Sequence, residues 1–265
     1  MKLQEEIFKT YSLRLVQTAE ELERQGSFIR DLFRLRYYPH IQGSSRASIL
    51  EIGCNKGFMA KAVGEFLPDS NIFGIDMSPN DIRYAQDTCP TPVDGSIQFS
   101  CIDFFEFAKT AGEYDVIICK DVMEHIAKDR QWEFVQTIYD TLKDNGIALI
   151  QVPNMDWIFS NHERYMDFTH EIGYTRESLY DIFRVVFGKG NIEVLPASYI
   201  FKTTFKQKVV YGLMRPVLLK IFRSIFKILG EGAHDVWFEH REILAVAKKI
   251  PQQNMSYGGG NGCNG

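Results

Sequence analysis

No run in this sequence approaches the ~18 apolar residues that a membrane span requires. Its opening, MKLQEEIFKTYSLRL, has no apolar core of a secretory signal, so a cytoplasmic location is expected. Basic residues are not in excess. The formal charge of −4 argues against a broad nucleic-acid surface, and no nucleic-acid partner is expected. Cysteines are few, at 54, 89, 101, 119 and 263, and none shows a paired CxxC spacing. That fits reduced thiols, and the three in or beside expected strands fit small buried hydrophobes. Phosphate-binding signatures are missing as well. Counted from Gly53, Gly-Cys-Asn-Lys-Gly lacks the later glycines of G-x-G-x-x-G, and no Walker-type lysine follows in place.

What is present is ordinary for a globular chain. With 265 residues, 45% hydrophobic and 24% charged, there is room for one large α/β domain with a full core. Residues 4–38 read as helices, with Phe8, Leu13, Leu15, Phe28, Leu32, Phe33 and Tyr37 at roughly helical spacing. From residue 47, β-rich runs at 48–52, 71–76, 97–101, 115–119 and 147–152 alternate with helical stretches at 58–66, 79–88, 104–111 and 128–143. Near-continuous apolar strands between helices imply a parallel sheet covered on both faces, a doubly wound α/β fold. KDNG reads as a helix stop before the fifth strand.

The rhythm then stops. Residues 153–175 form a long polar and aromatic loop at the C-terminal edge of the sheet, a length that points to function or disorder. A helix at 176–187, a strand at 191–195, a second interruption at 197–238 and an apolar strand at 243–247 follow. The expected organisation is a helical cap over 1–46, a main domain over 47–250 with those two insertions, and a disordered tail over 251–265.

The turn in SILEIGCNKGFMAKAV carries the functional signal. Glu51 closes the first strand, two residues before Gly53, and a carboxylate there repels phosphate and favours a ligand bearing an ammonium. Asp76 ends the second strand, a position from which an acid bonds a ribose diol in such folds. Asp103 follows the third strand and can accept from an adenine amino group. Asn55, where a second glycine would be familiar, is among the few non-glycine residues that enter the left-handed region at modest cost.

These segments, LEIGCNKG, IFGIDMSPNDIRYAQ, IQFSCIDFFEF, YDVIICKDVMEHI and LKDNGIALIQVPN, resemble class I S-adenosylmethionine-dependent methyltransferases over about residues 47–154. The resemblance implies a Rossmann-like, seven-stranded mixed sheet and S-adenosylmethionine as cofactor. It gives Gly53, Cys54 and Gly57 to the methionine end, Asp76 to the ribose and Asp103 to the adenine, beside Glu51 for the cofactor's ammonium. Met77 and Ile102 would sandwich the ring, with Lys120 and Asp121 beside the methionine.

Methyl transfer needs alignment of acceptor and methyl, and a hydroxyl acceptor gains from a base. KDVMEHI offers Asp121, Glu124 and His125. HERYMDFTHEIGY offers His162, Glu163, Arg164, Tyr165, Asp167, His170 and Glu171. YMDFTHEIGYTRESL is similar to a segment in methyltransferases of bacterial surface-polysaccharide clusters, which implies a sugar or glycan-precursor acceptor, nucleotide-linked or lipid-linked. His170 is the expected base, oriented by Asp167 or Glu171, with His125 second; Arg164, Tyr165 and Glu171 are expected to meet substrate. No spacing demands a metal, although Glu124, His125 and His170 have suitable donors. Residues 205–230 carry six Lys or Arg and no acid, with apolar residues at helical spacing and Pro216 starting or kinking the helix. Such a helix suits an anionic membrane surface, a lid, or attraction of an anionic acceptor. The alternatives are a quinone or amine methyltransferase, a nicotinamide-dependent sugar oxidoreductase, and a non-catalytic cofactor-binding protein.

Overall fold

The computed structural model describes residues 6–8, 18–197, 204–229 and 236–251. Leu13, Leu15 and the glycine-rich tail beyond residue 251 lie outside them. The described residues form the expected seven-stranded mixed sheet, in the order β3-β2-β1-β4-β5-β7-β6. The strands are β1 (Ser48–Ile52), β2 (Asn71–Asp76), β3 (Ser96–Cys101), β4 (Tyr114–Lys120), β5 (Leu142–Pro153), β6 (Ile192–Pro196) and β7 (Glu242–Lys248). The first five run parallel, and β7 is antiparallel to both β5 and β6.

Strand side chains alternate between faces, so adjacent apolar residues feed two cores. Ile49, Ile72, Val116, Ile118 and Leu149 join Leu32, Phe33, Tyr37, Met59 and Val63 on one face. Leu50, Ile75, Ile117, Ala148 and Ile150 join Phe134, Ile138 and Phe183 on the other. Each fully buried Leu, Ile or Phe contributes about 1.5–3 kcal/mol, which is why these strands read as unbroken hydrophobic runs. The N-terminal helix Ala19–Leu32 is closed by a capping box between Thr18 and Glu21. It continues through a π-helical turn, Phe33–Tyr37, whose Phe33 and Tyr37 are fully buried.

Two local expectations are corrected. KDNG is not a helix stop: the helix spans Gln131–Thr141, and β5 already begins at Leu142, opposite Tyr114. Pairing resumes at Val116–Ile147, so residues 143–146 bulge, with Asn145 at φ 64°. The loop over 153–175 also contains a helix, Ser160–Met166. In the second insertion, Phe205–Val209, a π-helical turn Val210–Met214 and Arg215–Leu229 follow in succession, with Pro216 in the first turn of the last helix. Phe226 packs on Phe238 at 4.9 Å, and Arg223 pairs with Glu239. Phe205, Leu213, Ile228 and Leu229 are each more than two-thirds exposed.

Candidate active site

The strand order reverses between β1 and β4, and open α/β sheets bind ligands beyond the carboxyl ends of strands at such a point. Here lies a cavity of about 370 Å³. The turn after β1 is fixed by the amides of Gly53 and Cys54, which both donate to the Ile75 carbonyl, at 2.8 and 2.9 Å. Asn55 is left-handed at φ 45°, and this places its amide to donate to Asp76 Oδ2 at 2.8 Å. The Ser78 amide donates to Asp76 Oδ1 at 2.9 Å. Asp76 is thus held at both oxygens by backbone, and the asparagine in the turn does the holding on one side.

Glu51, Gly53, Cys54, Asp76, Met77, Ile102, Asp103, Lys120 and Asp121 all line this cavity, as does His125. Glu51 is buried, and its Oε2 has no hydrogen-bond partner among the described residues. Burial, reinforced by Asp76, holds its carboxyl well above the usual range despite a backbone hydrogen bond and nearby Lys120. Asp103 caps the helix Phe104–Ala108 through Oδ1, which accepts from the Phe105 amide at 2.9 Å. Lys120 and Asp121 pair with each other. Gly57 stands apart. It does not line the cavity; at φ 76°, a Cβ there would meet Cys89 Sγ at 2.7 Å and Ala85 Cβ at 3.0 Å. Its place in the turn is set by helix packing.

A second cavity, of about 160 Å³, adjoins the first and shares Asp121 and His125 with it. Its other walls include Glu124, Glu163, Asp167, His170 and Arg241. The Thr169 hydroxyl donates to Asp167 Oδ1 at 2.7 Å, so its oxygen accepts from His125 Nδ1–H at 2.8 Å. His170 Nδ1–H donates to the Glu163 carbonyl at 2.9 Å. The two rings lie 4.8 Å apart. Burial, followed by neighbouring His170, pushes the His125 imidazole down to about 4, so it is neutral at physiological pH. Burial, with Asp121 adding to it, raises Glu124 well above the ordinary carboxyl range.

A methyltransferase-domain family profile matches residues 13–185, more than half of the chain. The chain belongs to this methyltransferase family. Similar proteins include the ubiquinone biosynthesis O-methyltransferase of Rickettsia prowazekii, 32% identical over 113 residues, which are 42% of this chain and 41% of that one. The chain spans half or less of the curated relatives it matches. Among solved structures, a SAM-dependent methyltransferase from Archaeoglobus fulgidus superposes with a TM-score of 0.59 at 19% identity, covering 84% of this chain and 94% of the other. The plantazolicin methyltransferase BpumL, solved with S-adenosylhomocysteine and a monoazolic desmethylPZN analogue, gives 0.56 at 17% identity, covering 94% and 96%.

The methyltransferase's first cavity suits S-adenosylmethionine, the cofactor of its family, on a ground of its own. A buried carboxylate oxygen without a partner, at Glu51, matches an ammonium and opposes a phosphate. The acceptor-side expectations fare differently. Asp167 does orient an imidazole, but it is that of His125, reached through Thr169, while His170 is oriented by backbone. Arg164 donates to the carbonyls of His170 and of Glu171, the latter at 3.0 Å, and so clamps the loop. Tyr165 is 77% exposed and, like Glu171, lines neither cavity. Thr169 and Arg241 escaped the sequence reading. Thr169 has an unremarkable hydroxyl whose partner lies 44 residues away; Arg241 meets Glu163 at 3.0 Å across 78 residues. No local spacing signals either.

Proposed function

We propose that this methyltransferase transfers the methyl of S-adenosylmethionine to a hydroxyl or phosphate-type oxygen of an acceptor lodged in the second cavity. The observation that carries the reading is the shared wall: Asp121 and His125 border both chambers, so donor and acceptor can meet there in line. Bound S-adenosylmethionine supplies a methyl group on a sulfonium, already activated for displacement. In this reading Glu51 receives the ammonium and Asp76 the ribose diol. Met77 and Ile102 flank the adenine, and the second oxygen of Asp103 faces its amino group. Lys120 and Asp121 bound the methionine end.

His170 has Nδ1 committed to the Glu163 carbonyl, which puts its lone pair on Nε2. A hydroxyl entering beside it donates to that lone pair, and this orients it and draws off its proton. The acceptor we favour is a sugar hydroxyl or phosphate-type oxygen of a lipid-linked glycan precursor. The second reading is a quinone precursor, favoured by the likeness to the ubiquinone biosynthesis O-methyltransferase of Rickettsia prowazekii. Both are membrane-borne, and the helix Arg215–Leu229 suits that: apolar Val217, Leu218, Ile221 and Ile228 are exposed, as are Lys220 and Lys227. No described helix is long and apolar enough to cross a membrane, so the contact we propose is peripheral.

Methyl transfer from labelled cofactor, assayed against nucleotide-sugars, lipid-linked saccharides and hydroxylated quinone precursors, is the test. An O-methylated product from either lipid class supports the reading. Methylation solely at nitrogen, or failure of every oxygen acceptor by protein that binds the cofactor, rejects it. Sedimentation with phosphatidylglycerol vesicles, lost in Ile228→Glu, is expected of the helix; equal sedimentation of that variant would remove the membrane contact.

A further inference from the structure

Three polar side chains that line neither cavity are buried in the fold. Gln131, Tyr174 and Asn154 are each 3% exposed or less. Enclosing an amide or a phenol is costly unless its polar atoms are paired, and here the partners belong to the segments that carry the walls of the second cavity. The Gln131 side-chain amide donates to the Met123 carbonyl at 3.0 Å and to the Ile126 carbonyl at 2.6 Å. It ties together the two ends of the 3₁₀ turn Met123–His125, whose own hydrogen-bond geometry is of the poorer kind. Gln131 Oε1 in turn accepts from the Tyr174 hydroxyl. Both hydrogens and the oxygen of the amide are thus engaged, which fixes its orientation.

Tyr174 lies at the end of the loop over 153–175. Its carbonyl accepts from the Met155 amide at 2.7 Å, and it bridges to Asn154 as in a parallel strand pair. Asn154 reaches the third wall. Its Nδ2 donates to the Trp237 and His240 carbonyls, at 3.0 and 2.8 Å, and its backbone amide donates to the Arg241 carbonyl at 2.8 Å. The series Gln131, Tyr174, Asn154 therefore joins the turn bearing Glu124 and His125, the loop bearing His170, and the segment that brings Arg241 into β7. The turn and the loop also meet directly, where the Glu124 carbonyl accepts from the amides of Glu171 and Ile172, at 2.8 and 3.2 Å. Apolar side chains could fill the same space. Directional bonds, once all are satisfied, admit a single arrangement of the segments.

We infer that Gln131 and Tyr174 are positioning residues for methyl transfer, which hold the wall common to both cavities in register with the loop that carries His170. The catalytic consequence rests on the oxygen-transfer reading; the coupling of turn to loop rests on the hydrogen bonds alone. Since neither residue lines a cavity, both act through the segments they join. Alignment is what they control, and a misplacement of about 1 Å can cost roughly 10²-fold in rate.

Tyr174→Phe and Gln131→Met test this in the full chain. The first removes one hydroxyl and keeps the ring; the second keeps the volume and removes all three bonds. Amide hydrogen exchange is read at Glu171 and Ile172, which bridge turn and loop, with Gly53 and Cys54 in the donor turn as reference. In both variants exchange at the first pair is expected to accelerate roughly tenfold or more, and at the reference pair by less than about threefold. Turnover is measured at saturating S-adenosylmethionine, on protein that circular dichroism shows to be folded, with the lipid-linked saccharide or quinone precursor that the wild type methylates. It should fall roughly 10–100-fold, while S-adenosylhomocysteine affinity in calorimetry stays within about threefold. Equal acceleration at all four amides marks a role in stability alone and overturns the inference. So does wild-type turnover in both folded variants. Wild-type protein that methylates no oxygen acceptor would sink the proposed function instead, and the exchange pattern at Glu171 and Ile172 would decide the coupling by itself.

Discussion

Replacing Asp76 with alanine is expected to weaken binding of S-adenosylhomocysteine by about 10²–10⁴-fold. Each hydrogen bond to a charged group contributes about 1.5–3 kcal/mol, and a ribose diol offers two. The loss is therefore about 3–6 kcal/mol, at roughly tenfold in affinity per 1.4 kcal/mol. The upper part of the range is favoured because the carboxylate is already fixed, by the amides of Asn55 at 2.8 Å and Ser78 at 2.9 Å. No ordering cost is then left to offset the bonds it makes to ligand. The variant also strands those two amides, at a further cost to folding of about 1–3 kcal/mol. Circular dichroism should accompany the calorimetry for that reason. Asp76→Asn keeps one acceptor oxygen but turns an amino group toward one of the amides, and it should fall between wild type and alanine. A folded Asp76→Ala protein whose Kd stays within about threefold of wild type would refute the assignment.

Further outcomes are expected at three positions. Burial holds the Glu51 carboxyl above its ordinary value, with Asp76 adding to the rise and Lys120 opposing it. Its ionised form binds the ammonium, so affinity should rise with pH through the raised pKa and level off above it. Glu51→Gln should abolish that dependence in calorimetry, and an unchanged pH profile would remove Glu51 as the ammonium partner. In the apoprotein the sign is opposite: Glu51 favours folding below its unfolded pKa and loses that contribution as pH rises through the folded one, which urea titrations at several pH values would detect. Gly57→Ala combines φ 76° with a Cβ 2.7 Å from Cys89 Sγ; it should cost about 1–3 kcal/mol of strain and lower Tm by several degrees. Cofactor affinity at low temperature should hold, since Gly57 lies off the cavity; a large loss of affinity in folded protein would show a direct role. Asn55→Gly should leave stability close to wild type, whereas Asn55→Val should cost at least about 1–2 kcal/mol because φ is 45° there, as chemical denaturation would show.

Much of the donor half was legible in the sequence. Five apolar strands alternating with helices dictate a parallel sheet, because strands buried on both faces must be hydrophobic on both. The acids that end or follow β1, β2 and β3 then fall at one edge by topology alone. Glu51, Asp76 and Asp103 could therefore be named before any coordinate, and all three line the first cavity. Asn55 could be read as tolerable in its turn. That its amide holds Asp76 could not, since the bond joins two loops through the register of β1 on β2.

The second cavity was decided by tertiary structure. HERYMDFTHEIGY supplies seven polar or charged candidates without a period to say which face inward. Packing turned Asp167 and His170 into the second cavity, left Tyr165 in solvent, and engaged Arg164 with carbonyls of its own loop. The partner of His125 is settled by one proton. Thr169 has a single hydroxyl hydrogen, Asp167 takes it, and the oxygen is left to accept from a histidine 44 residues earlier in the chain. Local sequence pattern fixes strands, turns and the acids at their ends, because those interactions are short in sequence. Which side chains share a proton or pair as ions across 40 to 80 residues is fixed only when the sheet brings them together.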